Sequence, residues 1–236
     1  FEYVNLWTPA DIATVVWVDA DDSSTKILDG SGNIEQWSDK SGNTNHATQA
    51  TASERPGSTA TAVTFDGTQI LNLPSNLAAL GAVAVVWLGK HTSFASTAGY
   101  AFTGNSPRFH VARHRTGIFE WSLDAQNPMV DTASDTDAHI FHMEQVGSDT
   151  EARMDGSVLH TGTEADTTTI ADWDIGGIGG NPRMIGEVQE AVLIDTGFAN
   201  IEKIEGYLAH KWDGINGNTL LVDALPSGHP YKSSPP

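Results

Sequence analysis

The sequence contains no cysteine. Disulfide bonds, thiolate catalysis and cysteine-ligated zinc are therefore excluded, and the fold must be stabilised by packing or by an oxygen-ligated cation. Basic residues are also scarce, since 12 Lys and Arg stand against 30 Asp and Glu and give a formal charge of −18. Because this charge repels a phosphate backbone, we expect no nucleic-acid partner.

Long hydrophobic runs are missing as well. No stretch approaches the roughly 20 apolar residues of a membrane span, so we expect no membrane insertion. The apolar run Ile12–Val18 is too short for a signal peptide and is followed by acidic residues. With 39% hydrophobic residues the chain can still bury a core. We expect a single domain over residues 1–236, with 1–10 and 214–236 as extended terminal segments.

Short β-branched and aromatic runs between Gly, Asn, Asp and Ser make up most of the chain, a pattern typical of an antiparallel sandwich or barrel. Asp66-Gly67 and Asp155-Gly156 each separate two such runs and predict type I′ hairpins, because Asp-Gly tolerates positive φ angles. One helix is predicted over about residues 199–212, where apolar side chains recur at spacings of three and four. These side chains are Ile201, Ile204, Leu208 and Trp212.

Four segments are informative through their order along the chain. They are residues 15–49, which include Gln36-Trp37-Ser38-Asp39-Lys40-Ser41-Gly42; Val63–Gly67; residues 139–161; and residues 186–231, which include Glu205–Trp212 and His229-Pro230-Tyr231. Together they resemble the concanavalin A-like lectin/glucanase (LamG-type) family, as found in bacteriophage virion and bacterial surface proteins. The resemblance implies an all-β, concanavalin A-like jelly-roll sandwich of two antiparallel sheets, located outside the cell or on a virion surface.

A catalytic carboxylate pattern is not found where this resemblance implies it. Hydrolytic relatives of the fold use two carboxylates on one strand, in the order Glu-x-Asp-x-x-Glu. The corresponding segment Gly186–Val192 contains Glu187 and Glu190 but lacks the central Asp and the spacing. Strand alternation would also place these two side chains on opposite faces. We therefore expect that the chain is not an enzyme, with a polysaccharide hydrolase or lyase as the alternative.

Two loops that the family places near one another are rich in oxygen ligands. The candidate calcium ligands are Asp19, Asp21, Asp22, Asp39, Asn43 and Asn45. Calcium takes six to eight such oxygens, so Ca²⁺ is a candidate cofactor. The alternative is a self-bonded turn over residues 39–45, in which Asx side chains accept hydrogen bonds from backbone N–H groups.

A glycan site requires an aromatic platform with polar neighbours, because sugar C–H faces pack on rings and hydroxyls need hydrogen-bond partners. The candidates are Trp87, Phe119, Trp121, Arg113 and Arg115. The alternative for the aromatic residues is burial in the core of the sandwich. His110 and His114, four apart on a predicted strand, are expected on one face, as solvated or core side chains and not as zinc ligands.

The function that these observations favour is a LamG- or lectin-like module for glycan binding or adhesion, as a capsid decoration, a tail component or a cell-surface protein. The expected partners are a glycan or host-surface polysaccharide and other virion or surface proteins. The alternative is a purely structural virion protein that binds no glycan.

Overall fold

The structure is a computed structural model that describes residues 7–75, 77, 80, 82–93, 99–106, 108–115, 117–123, 127–164, 171–178, 183–195, 199–218 and 221–236. In chain order its strands are β1 (Thr14–Asp19), β2 (Lys26–Leu28), β3 (Ile34–Trp37), β4 (Ala47–Thr48), β5 (Gly57–Ser58), β6 (Val63–Asp66), β7 (Leu71–Asn72), β8 (Ala82–His91), β9 (Phe102–Ser106), β10 (Arg108–Arg115), β11 (Ile118–Leu123), β12 (Asn127–Ala133), β13 (His139–Val146), β14 (Asp149–Met154), β15 (Ser157–Thr163), β16 (Ala171–Ile175) and β17 (Ile185–Ile194). The α-helices are α1 (Ile201–Trp212) and α2 (Leu221–Ala224), and short 3₁₀ turns cover Pro9–Asp11, Ser23–Thr25 and Ala52–Glu54.

The strands form two antiparallel sheets. The eight-stranded sheet has the order β15-β14-β13-β8-β17-β6-β5, with β1 also paired to β17. The nine-stranded sheet has the order β12-β11-β10-β9-β16-β7-β4-β3-β2. The prediction of an all-β sandwich with a C-terminal helix is thus confirmed. None of the helices in the described part of the chain is long and apolar enough to cross a membrane.

Two hydrophobic clusters hold the layers together. The larger one fills the space between the sheets, and its largest fully buried side chains are Trp37, Trp87, Phe102, Phe109, Phe119, Trp121, Phe141 and Trp173. The smaller one lies between the outer face of the eight-stranded sheet and α1, where the predicted apolar stripe of the helix is buried. The helix therefore covers the outer face of the eight-stranded sheet and does not cover the outer face of the nine-stranded sheet.

One of the two predicted hairpins is confirmed. Asp155 and Gly156 join β14 to β15 with φ angles of 50° and 74°, as a type I′ turn requires. The prediction of a hairpin at Asp66-Gly67 is wrong, because β6 belongs to the eight-stranded sheet and β7 to the nine-stranded sheet. This turn carries the chain from one sheet to the other, and Asp66 accepts hydrogen bonds from the Thr68 backbone N–H and hydroxyl.

An irregularity in β10 changes which of its side chains share a face. The register of β10 shifts between His110 and Arg113, where Ala112 has a φ of 51°. His110 therefore points outward toward Ser122, whereas the His114 ring lies 5.7 Å from the buried His91 ring. The prediction that His110 and His114 share a face is wrong, because an extra residue in a strand reverses the alternation that follows it.

Candidate functional site

A row of polar side chains crosses the outer face of the nine-stranded sheet at right angles to the strands. Its members are register partners in neighbouring strands, so their side chains point to the same side. The row reads Gln36, Thr48, Asn72, Asp174, Thr103, His110 and Ser122, one residue each from β3, β4, β7, β16, β9, β10 and β11. The residues next to them in sequence, such as Trp37, Leu71 and Trp173, point into the core. The row is therefore a consequence of strand alternation with one solvent-facing sheet surface.

Half of the row is covered. His110 and Thr103 are 0% and 1% exposed. The Tyr100 ring lies 4.7 Å from the His110 ring, and the Thr103 hydroxyl donates to the Gly177 carbonyl at 3.2 Å. Tyr100 and Gly177 therefore cover this half of the row.

The other half of the row is open. Thr48 and Asn72 are exposed and Gln36 is half-buried. A depression of 410 Å³ lies beside Asn72, and a second one of 220 Å³ lies beside Gln36 and Thr48. The first is lined by Asn72, Leu73, Ser75, Asp172, Trp173, Asp174 and Ile178. The second is lined by Glu35, Gln36, Thr48, Gln49 and Ala50. Since Thr48 and Asn72 are register partners, the two depressions lie at neighbouring strands of the same face. We refer to the two depressions together as the groove.

The chemistry of the groove combines a polar floor with an apolar wall. The Asn72 side-chain amide donates to Asp174 Oδ1 at 2.7 Å, which fixes the orientation of both side chains. Asp172, two residues from Asp174 on β16, is exposed and lines the same depression. Leu73 and Ile178 supply the apolar wall. Such a surface offers amide donors, carboxylate acceptors and C–H contacts side by side.

The three predicted aromatic ligand-binding residues lie in the core. Trp87, Phe119 and Trp121 are all 0% exposed. The Trp121 indole N–H donates to the His142 carbonyl at 2.9 Å, across the two sheets. The exposed aromatic platform expected from the sequence is therefore not formed by these rings, because alternation along β8 and β11 turns them inward.

The two predicted arginines do lie on the outer face, where the shift in β10 places them. Arg113 donates to the Tyr100 hydroxyl at 3.2 Å and pairs with the Glu120 carboxylate. Arg115 is exposed, with its guanidinium 3.9 Å from Glu120. Both lie on β10, on the side of the face that carries His110 and Ser122, and neither lines the groove.

The predicted calcium ligands are engaged within the protein. Asp39 Oδ1 accepts from the backbone N–H groups of Trp17 and Ser41, and Oδ2 accepts from the Ser41 hydroxyl and the Asn45 N–H. The Asn43 and Asn45 side-chain amides donate to backbone carbonyls of β1. This is the self-bonded turn that was the alternative reading of residues 39–45.

The aspartates of the preceding loop pair with lysines. Asp19 Oδ2 lies 2.8 Å from Lys40 Nζ and 2.7 Å from Lys211 Nζ. Hydrogen bonds from Ser24, together with Lys40 at 3.1 Å, lower the pKa of Asp22, and Asp21 is exposed. Within the described ranges, no group of three or more His, Asp or Glu is arranged to hold a metal ion. Calcium binding stays a prediction from the sequence.

Glu187 and Glu190 lie on the helix-covered face and not in the groove. The register of β17 shifts between Val188 and Glu190, so both carboxylates point to the same side, and the prediction of opposite faces is wrong. Glu187 pairs with Lys90 and accepts from the Asn216 amide at 2.8 Å. Glu190 is 0% exposed, and burial raises the pKa of its carboxyl group. A substrate cannot reach Glu190 beneath α1.

Comparison with protein-family models finds no match for this sequence, and comparison with curated protein sequences finds none either. Solved structures do resemble the fold. Trypanosoma rangeli sialidase in complex with sialic acid matches 79% of this chain and 31% of its own, with a TM-score of 0.59 and 12% identity. Domain 4 of AbnA, a GH43 extracellular arabinanase from Geobacillus stearothermophilus in complex with arabinotriose, matches 76% of this chain and 91% of its own, with a TM-score of 0.57 and 14% identity. The shared feature is the sandwich of two antiparallel sheets.

These similarities correct the prediction that the chain is not an enzyme. That prediction rested on the family resemblance and on the strand Gly186–Val192, yet the same fold occurs within a sialidase chain and an arabinanase. This chain spans less than a third of the sialidase, 31% of its length. At 12% and 14% identity the likeness establishes the fold alone.

Proposed function

We propose that this chain is a carbohydrate-recognition domain that binds an extended oligosaccharide in the groove on the nine-stranded sheet. The observation that carries the proposal is the row of register partners Gln36, Thr48, Asn72 and Asp174, of which the first two line one depression and the last two line the depression at the neighbouring strands. Neighbouring strands lie about 4.8 Å apart, so these four positions extend over about 14 Å. A linear polar surface of this kind suits a linear polyhydroxyl ligand.

The groove can satisfy both sides of a sugar ring. Hydroxyl groups are donors and acceptors at once. Asn72, Thr48 and Asp172 are exposed along the groove and offer an amide, a hydroxyl and a carboxylate, whereas Asp174 is only 6% exposed. The Leu73 and Ile178 side chains offer apolar contact to the ring C–H groups. Because Asn72 and Asp174 are already held by their mutual hydrogen bond, little side-chain freedom is lost on binding.

Two further observations support the proposal. The arabinanase domain that shares this fold was solved with arabinotriose, and the sialidase with sialic acid. In addition, the four ordered segments of the sequence resemble LamG-type domains of virion and bacterial surface proteins. The proposal therefore includes a location outside the cell or on a virion surface, with a surface polysaccharide as partner.

The test is a glycan array followed by titration of the strongest ligand. The double variant Thr48→Ala/Asn72→Ala should bind that ligand roughly tenfold more weakly, since it loses polar contacts worth about 1.4 kcal/mol. Thr163→Ala, an exposed threonine on β15 of the other sheet, is the matched control and should bind normally. Normal binding by the double variant, with the control unchanged, would remove the groove from consideration.

Hydrolysis of a glycosidic bond is the second candidate function. One observation favours it: Asp172 and Asp174 are two residues apart on β16 and line the same depression. Glycosidases cleave with two carboxyl groups that flank the bond, one acting as an acid and the other as a nucleophile or base. This pair lies on a different strand from Gly186–Val192, where the family resemblance implies the carboxylates.

The hydrolysis candidate is tested by the release of reducing ends from the polysaccharide that the array identifies. Asp172→Asn and Asp174→Asn should each reduce the rate by several orders of magnitude while leaving binding measurable. Asp149→Asn, at an exposed position on β14, should have the wild-type rate. No release by the wild-type protein from a ligand that it binds would leave recognition as the function.

A further inference from the structure

We propose that a pocket between residues 7–8, α1 and residues 235–236 is a second carbohydrate site, which holds one neutral sugar ring. The pocket has a volume of 350 Å³ and is lined by Trp7, Thr8, Tyr207, His210, Lys211, Pro235 and Pro236. Because α1 covers the outer face of the eight-stranded sheet, this pocket lies on the opposite side of the sandwich from the groove. The proposal therefore goes beyond the function proposed for the groove and does not depend on it.

Aromatic side chains that reach the surface are concentrated at this pocket. Of the Trp, Tyr and Phe residues that the structure describes, three are not buried, namely Trp7, Tyr207 and Tyr231. The first two line the pocket, and the carbonyl of Tyr231 accepts a hydrogen bond from the lining residue His210 at 2.8 Å. Because it is unfavourable to leave large apolar rings in water, rings that stay exposed together indicate a binding surface.

The two lining rings are nearly perpendicular. The ring centroids of Trp7 and Tyr207 are 6.0 Å apart, and the angle between the ring planes is 75°. Pro235 and Pro236 add further apolar surface. The faces of a sugar ring carry C–H groups, and these groups pack on the negative faces of aromatic rings. Small-molecule sites typically have volumes of about 300–1,000 Å³, so the pocket has room for one sugar ring.

The pocket also has hydrogen-bonding groups for the hydroxyls at the edge of a sugar. The Tyr231 carbonyl can only accept, so His210 donates to it through Nε2, and Nδ1 of the neutral imidazole is an acceptor. The Thr8 hydroxyl is both a donor and an acceptor, and a hydrogen bond of 2.8 Å from the Thr8 backbone N–H to Asp11 fixes this residue. A ligand without hydroxyl groups would leave both side chains unmatched.

The charge at the pocket is balanced within the protein. Among the described lining residues, Lys211 alone is permanently charged, and its ammonium lies 2.7 Å from Asp19 and 2.7 Å from Glu190. An anionic ligand that drew Lys211 away would leave the buried Glu190 carboxylate without its cation, which is costly. No Asp or Glu of the described chain lines the pocket, so a cationic ligand would find no carboxylate there. The pocket therefore favours an uncharged sugar.

The test is saturation-transfer NMR of the wild-type protein with methyl glucoside, methyl galactoside and methyl mannoside as neutral probes. We expect saturation to reach the ring C–H protons of at least one probe and the Trp7 indole N–H resonance to shift as that probe is added. Trp7→Ala should weaken its binding about tenfold, whereas Trp7→Phe, which keeps an aromatic ring, should weaken it less than about threefold. Val158→Ala, at an exposed apolar position on β15, is the control and should bind normally.

The outcomes separate this site from the groove. Thr48→Ala/Asn72→Ala should bind the methyl glycoside as the wild type does, and loss of binding in that variant would place the sugar in the groove and overturn the proposal. Two results on the wild-type protein need no folded variant. Absence of saturation transfer to all three probes would overturn the proposal, and so would an unchanged Trp7 resonance at a saturating concentration of the glycoside.

Four further probes check the class of ligand. They are methyl glucuronoside, methyl glucosaminide, cyclohexanol and a tetraproline peptide, which represent an acidic sugar, a cationic sugar, an apolar ring and a proline-rich partner. Each should bind more weakly than the neutral glycoside. Tighter binding of any one of them at Trp7 would overturn the assignment of this pocket to a neutral sugar.

Discussion

At the scale of single residues, Glu190 illustrates how a buried charge is accommodated in this fold. Its carboxylate accepts from the Trp17 indole at 2.6 Å and the Trp212 indole at 2.5 Å, and it pairs with Lys211 at 2.7 Å. These donors come from β1 and α1, so one side chain of β17 links the sheet to the helix. The hydrogen bonds offset the cost of burying the charge only as long as every partner is present.

Glu190→Leu should therefore be strongly destabilising. Removing the carboxylate leaves two buried indole N–H groups and the Lys211 ammonium with fewer partners, so the free energy of unfolding should fall by about 3–5 kcal/mol. Urea titration followed by tryptophan fluorescence measures this change. Glu202→Leu, at an exposed position on α1 where the carboxylate lies 3.7 Å from Arg153, is the control and should lower the free energy of unfolding by no more than about 1 kcal/mol. A loss of similar size in both variants would contradict the special role of Glu190.

His139 predicts a pH dependence of stability. Burial lowers the pKa of its imidazole, but the hydrogen bonds and charges of Asp155 at 2.6 Å and Asp135 at 2.9 Å outweigh burial and raise the pKa to about 9. Because the folded pKa exceeds the unfolded value of about 6.5, this group stabilises the fold fully below pH 6.5. Its contribution, about 3 kcal/mol, should be lost as the pH rises to about 9.

Comparison of the wild type with His139→Gln checks this sign. The difference in unfolding free energy between the two proteins, measured by urea titration from about pH 6 to about pH 10, should shrink as the pH rises. A constant difference over this range would show that His139 is not held in its charged form by the two aspartates.

At the scale of elements, the central pair β8 and β17 depends on close backbone contact. A Cβ atom placed on Gly89 would lie 2.1 Å from the Glu187 carbonyl oxygen, whereas one placed on Gly30 would meet no atom within 4 Å. Gly89→Ala must therefore separate the two strands. The added Cβ would clash with a backbone atom, and a backbone atom can move less than the end of a flexible side chain.

We expect Gly89→Ala to lower the free energy of unfolding by about 3 kcal/mol, and Gly30→Ala to leave it nearly unchanged. Thermal unfolding by circular dichroism compares the two variants under one condition. Similar melting temperatures for both would mean that β8 and β17 are less closely packed than described.

The elements also show how far the sequence predicts this fold. The strand-rich sandwich, the turn at Asp155-Gly156 and the stripe of α1 follow from periodicity and turn chemistry. The register shifts in β10 and β17 do not, because an extra residue in a strand has no fixed sequence signature and yet reverses every later side chain. The shift in β10 alone decides that Arg113 faces outward and His114 inward.

The candidate site was predictable only in part, for a related reason. The polar residue within Leu71-Asn72-Leu73 and the alternation in Trp173-Asp174-Ile175 are visible in the sequence, and each marks a position on the outer face of the sheet. What the sequence does not contain is the strand order that brings β7 and β16 together. Asn72 and Asp174 are 102 residues apart in the chain, so no local pattern joins them.

At the scale of the whole molecule, charge determines how stability responds to salt. A formal charge of −18 on one compact sandwich produces repulsion among its surface groups. The screening length falls from about 30 Å at 0.01 M to about 3 Å at 1 M ionic strength. The urea midpoint should therefore rise as sodium chloride is added. A midpoint that falls with salt would instead show that ion pairs such as Lys40 with Asp19 dominate the electrostatics.

The position of the groove at one side of its sheet has a consequence for polymers. The row of polar residues runs toward β2, where Ile27 is the register partner of Gln36 and is 48% exposed. Among the strands that the structure describes, none lies beyond β2. The groove is therefore open at β2 and closed at Thr103. Under the proposed function it would hold one end of a polysaccharide while the rest of the polymer extends past β2.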